Sequence, residues 1–182
     1  LQTQINPHFL YNTLECINSA GAICGSREVE EMTTALAYLF RYACKGSHIV
    51  RLQDELNSLQ YYLSIQEIRF PEHFSVSYDI PANLMNCSVL KFLLQPIVEN
   101  SIQHGFHECE GHRRICISAA LEAQDLLISI VDNGTGMSEI ELMQLQERLD
   151  SPNEDLDRVG LNNIQRRIRL YYSEVYGLQI KS

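Results

Sequence analysis

The run Gln95-Pro96-Ile97-Val98-Glu99-Asn100-Ser101-Ile102-Gln103-His104-Gly105 sets Glu99, Asn100, Gln103 and His104 within two helical turns. Asn100, Gln103 and His104 are three and four residues apart, so a helix brings them close to one face. A carboxamide oxygen is a good ligand for hard Mg2+, and Gln or His donates hydrogen bonds to phosphate oxygens. Taken alone, the same face reads equally well as a solvated helix surface. The helix is expected to run from Val89 to His104, kinked at Pro96, whose ring and missing N–H disturb a helix interior.

Outward in the carboxy-terminal direction, Ile115–Leu121 and Leu126–Val131 are β-branched or apolar runs that read as adjacent strands. The second leads into Asp132-Asn133-Gly134-Thr135-Gly136-Met137. Two glycines in a tight turn let the backbone approach a flat ligand, and a carboxylate at the strand end can accept a hydrogen bond from an exocyclic amine. Asp-Asn-Gly is also an ordinary turn sequence. Ser138 to Leu149 is expected to be a helix, with Ser138 as N-cap and Glu141 three residues on in a capping box. A polar loop over Asp150–Asp157 precedes Val159-Gly160-Leu161-Asn162-Asn163, where a helix running to Tyr172 begins with N–H groups that can hold an anion. Leu178–Ile180 reads as the start of a strand. Each of the three polar segments is weak by itself; their order and spacing carry the information.

In the other direction, Phe74–Ile80 alternates as a strand, with Phe74, Val76 and Tyr78 on one face. Leu52, Leu56, Leu59 and Leu63 mark a helix stopped near Phe70-Pro71, and Val29, Met32, Leu36, Leu39 and Ala43 mark another, ended by Lys45-Gly46. The first helical run spans Leu1 to about Ile23, interrupted at Pro7 and closed by Gly21 and Gly25. The fold class is therefore α+β: a helical region over 1–70 and a layered α/β sandwich over 71–182, with the boundary near Pro71.

Apolar residues make up 45% and charged residues 20% of the 182, the balance of a globular chain, and the net charge is −9. That charge argues against nucleic acid or an anionic membrane as the main partner of this segment. It leaves ATP open, because backbone N–H groups supply local positive potential. The six cysteines contain no CxxC pair. Cys109 and Cys116, with His107 and His112 nearby, lack the usual zinc spacing, so reduced thiols of a cytoplasmic protein are expected. No apolar run approaches the roughly 18 residues of a membrane span.

In their order, the three polar segments resemble the nucleotide-binding boxes of the GHKL superfamily (the Bergerat-type ATP-binding fold), which unites histidine kinases with gyrase-type, mismatch-repair and chaperone ATPases. Leu1-Gln2-Thr3-Gln4-Ile5-Asn6-Pro7-His8-Phe9-Leu10-Tyr11-Asn12-Thr13-Leu14 resembles the phosphoacceptor motif of the LytS/YehU-type sensor histidine kinases. Leu52–Phe70, ending Tyr62-Leu63-Ser64-Ile65-Gln66-Glu67-Ile68-Arg69-Phe70, is similar to the connecting helix of the same family.

The resemblance implies a kinase that uses Mg-ATP to phosphorylate its own His8 and passes the phosphoryl group to an Asp of a response-regulator receiver domain. It implies that Asn100 holds Mg2+ and that Asp132 recognises the adenine amino group. Gly134, Gly136 and Met137 would shape the pocket, with Gln103 and His104 beside the nucleotide. Gly160, Leu161 and Asn163 would sit at the phosphate end under a loop spanning roughly Met137 to Val159. The amino-terminal helices are expected to pair with a second copy, since an open apolar hairpin exposes a sizeable patch. The chain is expected to be an excised cytoplasmic piece of a longer, membrane-anchored sensor, cut before its final strands.

Several positions depart from the family pattern. Phe9 stands where many histidine kinases carry a carboxylate base, which makes Glu99 the candidate base or orienter. Asn12, one turn beyond His8, stands where some sensor kinases use an Asn or Thr to position water for dephosphorylating their partner, and the resemblance implies the same role for it. Gln103 replaces a common Lys, and Leu156 and Arg158 occupy places where glycines are usual, with Arg158 a candidate to replace the lost charge. A GHKL-type ATP hydrolase needs a Glu four residues before Asn100, and that residue is Pro96. A degenerate ATP-binding or dimerisation module is the remaining alternative.

Overall fold

The computed structural model describes residues 7–44, 46–70, 74–105, 112–150 and 160–182. Among them, Pro7–Cys24 forms α1 and Arg27–Cys44 forms α2. Pro7 is the first described residue of α1, and the part of the expected run before it lies outside the described residues. Gly25 closes α1 at φ +67, with Gly25 N–H on the Ala22 carbonyl and Ser26 N–H on the Gly21 carbonyl. That is a Schellman ending, which favours glycine in the left-handed position. The two helices pack as a hairpin around Leu14 and Ala35, and Tyr11 meets Phe40 edge to face at 5.2 Å. Between them the Asn18 amide donates to the Thr33 hydroxyl at 2.8 Å and the Glu30 carbonyl at 3.1 Å.

A short strand, β1 (Ile49–Arg51), leads straight into α3 (Leu52–Arg69). Leu52, Leu56, Leu59, Tyr62 and Leu63 of α3 are buried in one cluster with Phe74, Leu84, Val89, Leu94, Val98, Ile115, Ile117 and Ala119. α3 thus contributes one wall of the core shared with the sheet. Its opposite side meets α2, where Tyr38 stacks on Tyr61 with ring centroids 4.2 Å apart.

The main sheet holds β2 (Phe74–Asp79), β4 (Arg113–Glu122) and β5 (Asp125–Asp132) in the order β2-β4-β5. β2 runs parallel to β4, with Val76 opposite Ile115, and β4 runs antiparallel to β5, with Ile115 opposite Asp132. In β4 the period of two places Ile115, Ile117 and Ala119 in the core and exposes Arg114 and Cys116. A second ribbon pairs β1 with β3 (Ser88–Leu90). Two further helices, α5 (Glu139–Asp150) and α6 (Leu161–Tyr171), follow the sheet in the chain. The architecture is α+β, as the alternation of periods predicts.

Two expectations are corrected. The single kinked helix over Val89–His104 is instead β3, an irregular turn, the six-residue helix α4 (Gln95–Asn100) and a π turn over Ser101–Gly105. Pro96 lies in the first turn of α4, where no N–H is required, so it begins a helix and bends none. Leu178–Ile180 forms no strand pairing among the described residues. It is held by side chains instead: Leu178 N–H donates to the Gln165 amide oxygen at 2.6 Å, and the Ile180 carbonyl accepts from Gln146. Pro71 and Lys45, read as element stops, lie outside the described residues, as does most of the 150–157 loop.

Candidate active site

α4 delivers Asn100 as its last residue, half-buried, and the π turn carries Gln103 outward into solvent. His104 also lies in that turn, but its side chain is outside the described residues. Between Asn100 and Gln103, the buried Ser101 hydroxyl donates to Asp132 Oδ2 at 2.7 Å. This bond joins the helix that bears Asn100 to the end of β5. Gly134 N–H donates to Asp132 Oδ1 at 2.9 Å. A carboxylate offers about four lone-pair sites, so two accepted bonds leave room for an exocyclic amine.

The loop after Asp132 is fixed by its own partners. The Asn133 side chain accepts from Arg114 N–H at 2.6 Å and donates to the His112 carbonyl at 3.0 Å. Gly136 sits at φ +68, where a larger residue would be strained, and an added Cβ would lie 2.9 Å from the Ser182 hydroxyl and force it to move. That hydroxyl accepts from Met137 N–H at 2.6 Å and donates to the Met137 carbonyl at 2.8 Å. Gly160 is the N-cap of α6, its carbonyl accepting from Asn163 and Ile164 N–H, while Leu161 and Asn163 occupy the first turn. The φ of Gly160 is −180°, which any residue adopts.

Glu99 receives the Gln95 amide at 3.0 Å and hydrogen-bonds the Tyr62 hydroxyl of α3. Burial, then the Glu99 charge and hydrogen bond, push Tyr62 ionisation well above the usual phenol range. His8 and Asn12 lie one turn apart on α1, both exposed. Arg158, Leu156, Cys109 and His107 lie outside the described residues. No cluster of three or more His, Cys, Asp or Glu with metal-binding geometry occurs among the described residues. The carboxamide oxygen of the half-buried Asn100 is a ligand type that a hard Mg2+ accepts.

Sequence reasoning passed over Glu55, Tyr42, Ser101 and Arg167. Glu55 is 1% exposed and accepts from the Tyr42 hydroxyl and from the N–H groups of Phe92, Leu93 and Leu94, immediately before α4. The available signal was its position: Glu55 falls on the apolar face of α3, between Leu52 and Leu59. Arg167 of α6 donates to the Lys91 and Phe92 carbonyls, a contact 75 residues away in sequence that no local pattern announces.

A hairpin presenting a histidine, followed by a sheet against which an asparagine helix and an Asp-Asn-Gly strand end converge, is the layout of a histidine kinase's catalytic region. Comparison with known proteins agrees: residues 1–74 match the family model described as Histidine kinase. The whole chain aligns with three sensor kinases. It is 36% identical to sensor histidine kinase YesM of Bacillus subtilis strain 168 and 31% to sensor histidine kinase YpdA of Escherichia coli K12. It is 30% identical to sensor protein kinase HptS of Staphylococcus aureus USA300. All of this chain is covered in each case, and 30%, 31% and 35% of the respective relative. The chain is similar to sensor histidine kinases over its whole length, and it spans about a third of the length of these relatives. A histidine kinase domain from Erythrobacter litoralis, the blue-light activated EL346, superimposes with a TM-score of 0.46 at 14% identity. It covers 90% of this chain and 83% of that one, a likeness too distant to carry an argument. No helix among the described residues is long and apolar enough to cross a membrane.

Proposed function

We propose that the chain autophosphorylates His8 from Mg-ATP and hands the phosphoryl group to an Asp of a response-regulator receiver domain. The observation that supports the nucleotide half is the Ser101–Asp132 bond, which ties the segment bearing Asn100 to the end of β5 bearing Asp132. Mg2+, when bound with the phosphates, supplies neutralisation of their charge. Asn100 would offer it a carboxamide oxygen, Asp132 would accept from the adenine amino group, and Gly134, Gly136 and Met137 would border the base. Gly160, Leu161 and Asn163 at the start of α6 would face the phosphate end, with Gln103 and His104 beside it.

In the transfer, the lone-pair nitrogen of the neutral His8 imidazole attacks the γ-phosphorus. The N–P bond forms as the bond to the ADP oxygen breaks, and the proton on the other ring nitrogen is lost. Phosphoryl transfer leaves the protein little covalent chemistry to do, so placement and charge neutralisation are the enzyme's task. Glu99 is the candidate to take that proton, and Asn12 the candidate to position water in the reverse, dephosphorylating direction. The exposed Phe9, Ile17, Ile23, Met32 and Leu36 on α1 and α2 form the face that would pair with a second copy. In this reading residues 1–70 dimerise and accept phosphate, residues 71–182 bind ATP, and the parent protein anchors in the membrane upstream.

The test is incubation with γ-labelled Mg-ATP, comparing wild type with His8→Gln and Asn100→Asp. Acid-labile, alkali-stable label on wild type alone is expected. Label persisting on His8→Gln would move the acceptor elsewhere, and nucleotide binding without label in wild type would favour a binding module over a kinase.

A further inference from the structure

The turn at Lys91–Leu94 is gripped from three helices. On its N–H side, Glu55 of α3 accepts from Phe92 N–H at 2.9 Å, Leu93 N–H at 2.6 Å and Leu94 N–H at 2.9 Å. Three successive N–H groups converging on one carboxylate form a nest, and Phe92 reaches it through φ +55, a conformation that an aromatic residue rarely adopts unaided. On its carbonyl side, Arg167 of α6 donates to Lys91 and Phe92. The Lys91 ammonium donates to the Ala43 carbonyl near the end of α2 at 3.0 Å, and Lys91 N–H to the His48 carbonyl at 2.9 Å. Tyr42 of α2 adds its hydroxyl to Glu55.

α4 grows directly from this turn: the Leu94 carbonyl accepts the first helical N–H groups, from Ile97 and Val98, at 3.1 Å each. Asn100 lies six residues beyond Leu94, a span of about 9 Å at helical rise. A shift at the turn therefore arrives at Asn100 nearly undiminished. Asp132, in contrast, is set mainly by the β4–β5 ladder and by Gly134, which do not pass through the turn, and the Ser101 hydroxyl is its one hydrogen bond to the α4 side among the described residues.

We propose that Glu55 and Arg167 are positioning residues for the metal-phosphate end of the site, clamping the 91–94 turn from opposite sides so that α4 presents Asn100 at the right place. The inference rests on the assignment of Asn100 to Mg2+. It further makes α2 and α6 meet on the turn that sets this residue, so the histidine hairpin and the helix at the phosphate end bear on one joint.

Glu55→Gln keeps the size of the side chain but turns an NH2 toward one side of the nest, where backbone N–H groups need an acceptor. Arg167→Met keeps length and removes the donors from the other side. ADP binding is measured with and without Mg2+, beside a thermal melt. In wild type Mg2+ tightens ADP. In each variant most of that tightening is expected to vanish, a loss of about tenfold or more in apparent Mg2+ affinity, the range for removing an outer-shell partner. ADP affinity without Mg2+ is expected to stay within about twofold. Arg167→Lys, retaining one donor, should fall between. Equal losses with and without Mg2+, or full Mg2+ tightening in a folded variant, overturn the proposal. If Glu55→Gln does not melt cooperatively, the two Arg167 variants decide by the same ratio. A wild-type protein whose ADP binding is insensitive to Mg2+ overturns instead the assignment of Asn100, and the inference falls with it.

Discussion

Two helices, α4 and α5, begin in the same chemical way and with opposite consequences. Before α5, Ser138 and Glu141 cap each other: Ser138 N–H and hydroxyl donate to the Glu141 carboxylate at 2.8 and 2.7 Å, and Glu141 N–H returns to the Ser138 hydroxyl. Before α4, the N–H groups are taken by Glu55, which comes from a different helix and is buried. The first carboxylate has water to fall back on and the second has none. An exposed cap tunes one helix end, whereas a buried one becomes a fixed point of the fold, since removing it strands several donors at once.

Glu55→Ala carries the largest expected effect. It leaves three backbone N–H groups and the Tyr42 hydroxyl without their acceptor, so the loss should be roughly 3–5 kcal/mol in urea unfolding. A loss below about 1 kcal/mol would put both carboxylates in the same class and break the contrast. Next, Asp132→Asn should leave stability nearly unchanged, because an amide can still accept from Gly134 N–H and donate to the Ser101 oxygen. ADP affinity should nevertheless fall about 10- to 100-fold under the proposed role of Asp132, since one carboxylate oxygen that would accept from the adenine amine is replaced by an NH2 group. Retained affinity, measured by calorimetry, would remove Asp132 from the site.

The buried side of the contrast also predicts alkaline sensitivity. Burial first, then the hydrogen bond and charge of Glu55, raise Tyr42 ionisation far above the usual phenol range, and burial with Glu99 does the same to Tyr62. Each phenol therefore ionises more readily in the unfolded chain. Their contribution is intact below the unfolded value of about 10 and declines as pH rises above it, by at most about 1.4 kcal/mol per pH unit from each. Urea midpoints between pH 9 and 11 should drop in wild type and drop less in Tyr42→Phe; equal slopes would count against a buried, acid-facing Tyr42.

The same contrast explains what the sequence disclosed. The α5 cap is local, three residues apart, and its motif predicts the helix start within one residue. Periods of two and three to four likewise announce β2, β4, β5 and the helices other than α4. The α4 region was misread because Val89 to His104 is apolar enough for one helix, while what starts α4 at Gln95 is a carboxylate about 40 residues upstream. A buried acid on a leucine-rich face is a visible signal that something distant needs an acceptor, though not what. At the site, Asn100 and Asp132 were legible as residue types in order, and the structure joins their segments. The link that joins them, Ser101, is a serine among many, and Arg167 lies too far along the chain for any window to pair it with Lys91.

The smallest expected effect lies at the α5 cap. Ser138→Ala removes the hydroxyl that accepts Glu141 N–H and that donates to the Glu141 carboxylate, while Ser138 N–H can still reach that carboxylate. The loss should be about 1 kcal/mol, the usual cost of deleting a serine cap. The Ser138 hydroxyl first, then its backbone N–H, hold the Glu141 carboxyl below its ordinary value of 4.5. A depressed carboxyl contributes stability above its unfolded value and loses it as pH falls, so the difference between wild type and Ser138→Ala should shrink on acidification below about pH 4. Nucleotide binding is the sharper readout. The cap lies on an exposed helix whose start contacts neither the 91–94 turn nor Asp132 through any hydrogen bond among the described residues. ADP affinity, with or without Mg2+, should therefore match wild type; a selective loss of the Mg2+ effect here would mean that local caps reach Asn100 as readily as the buried clamp does.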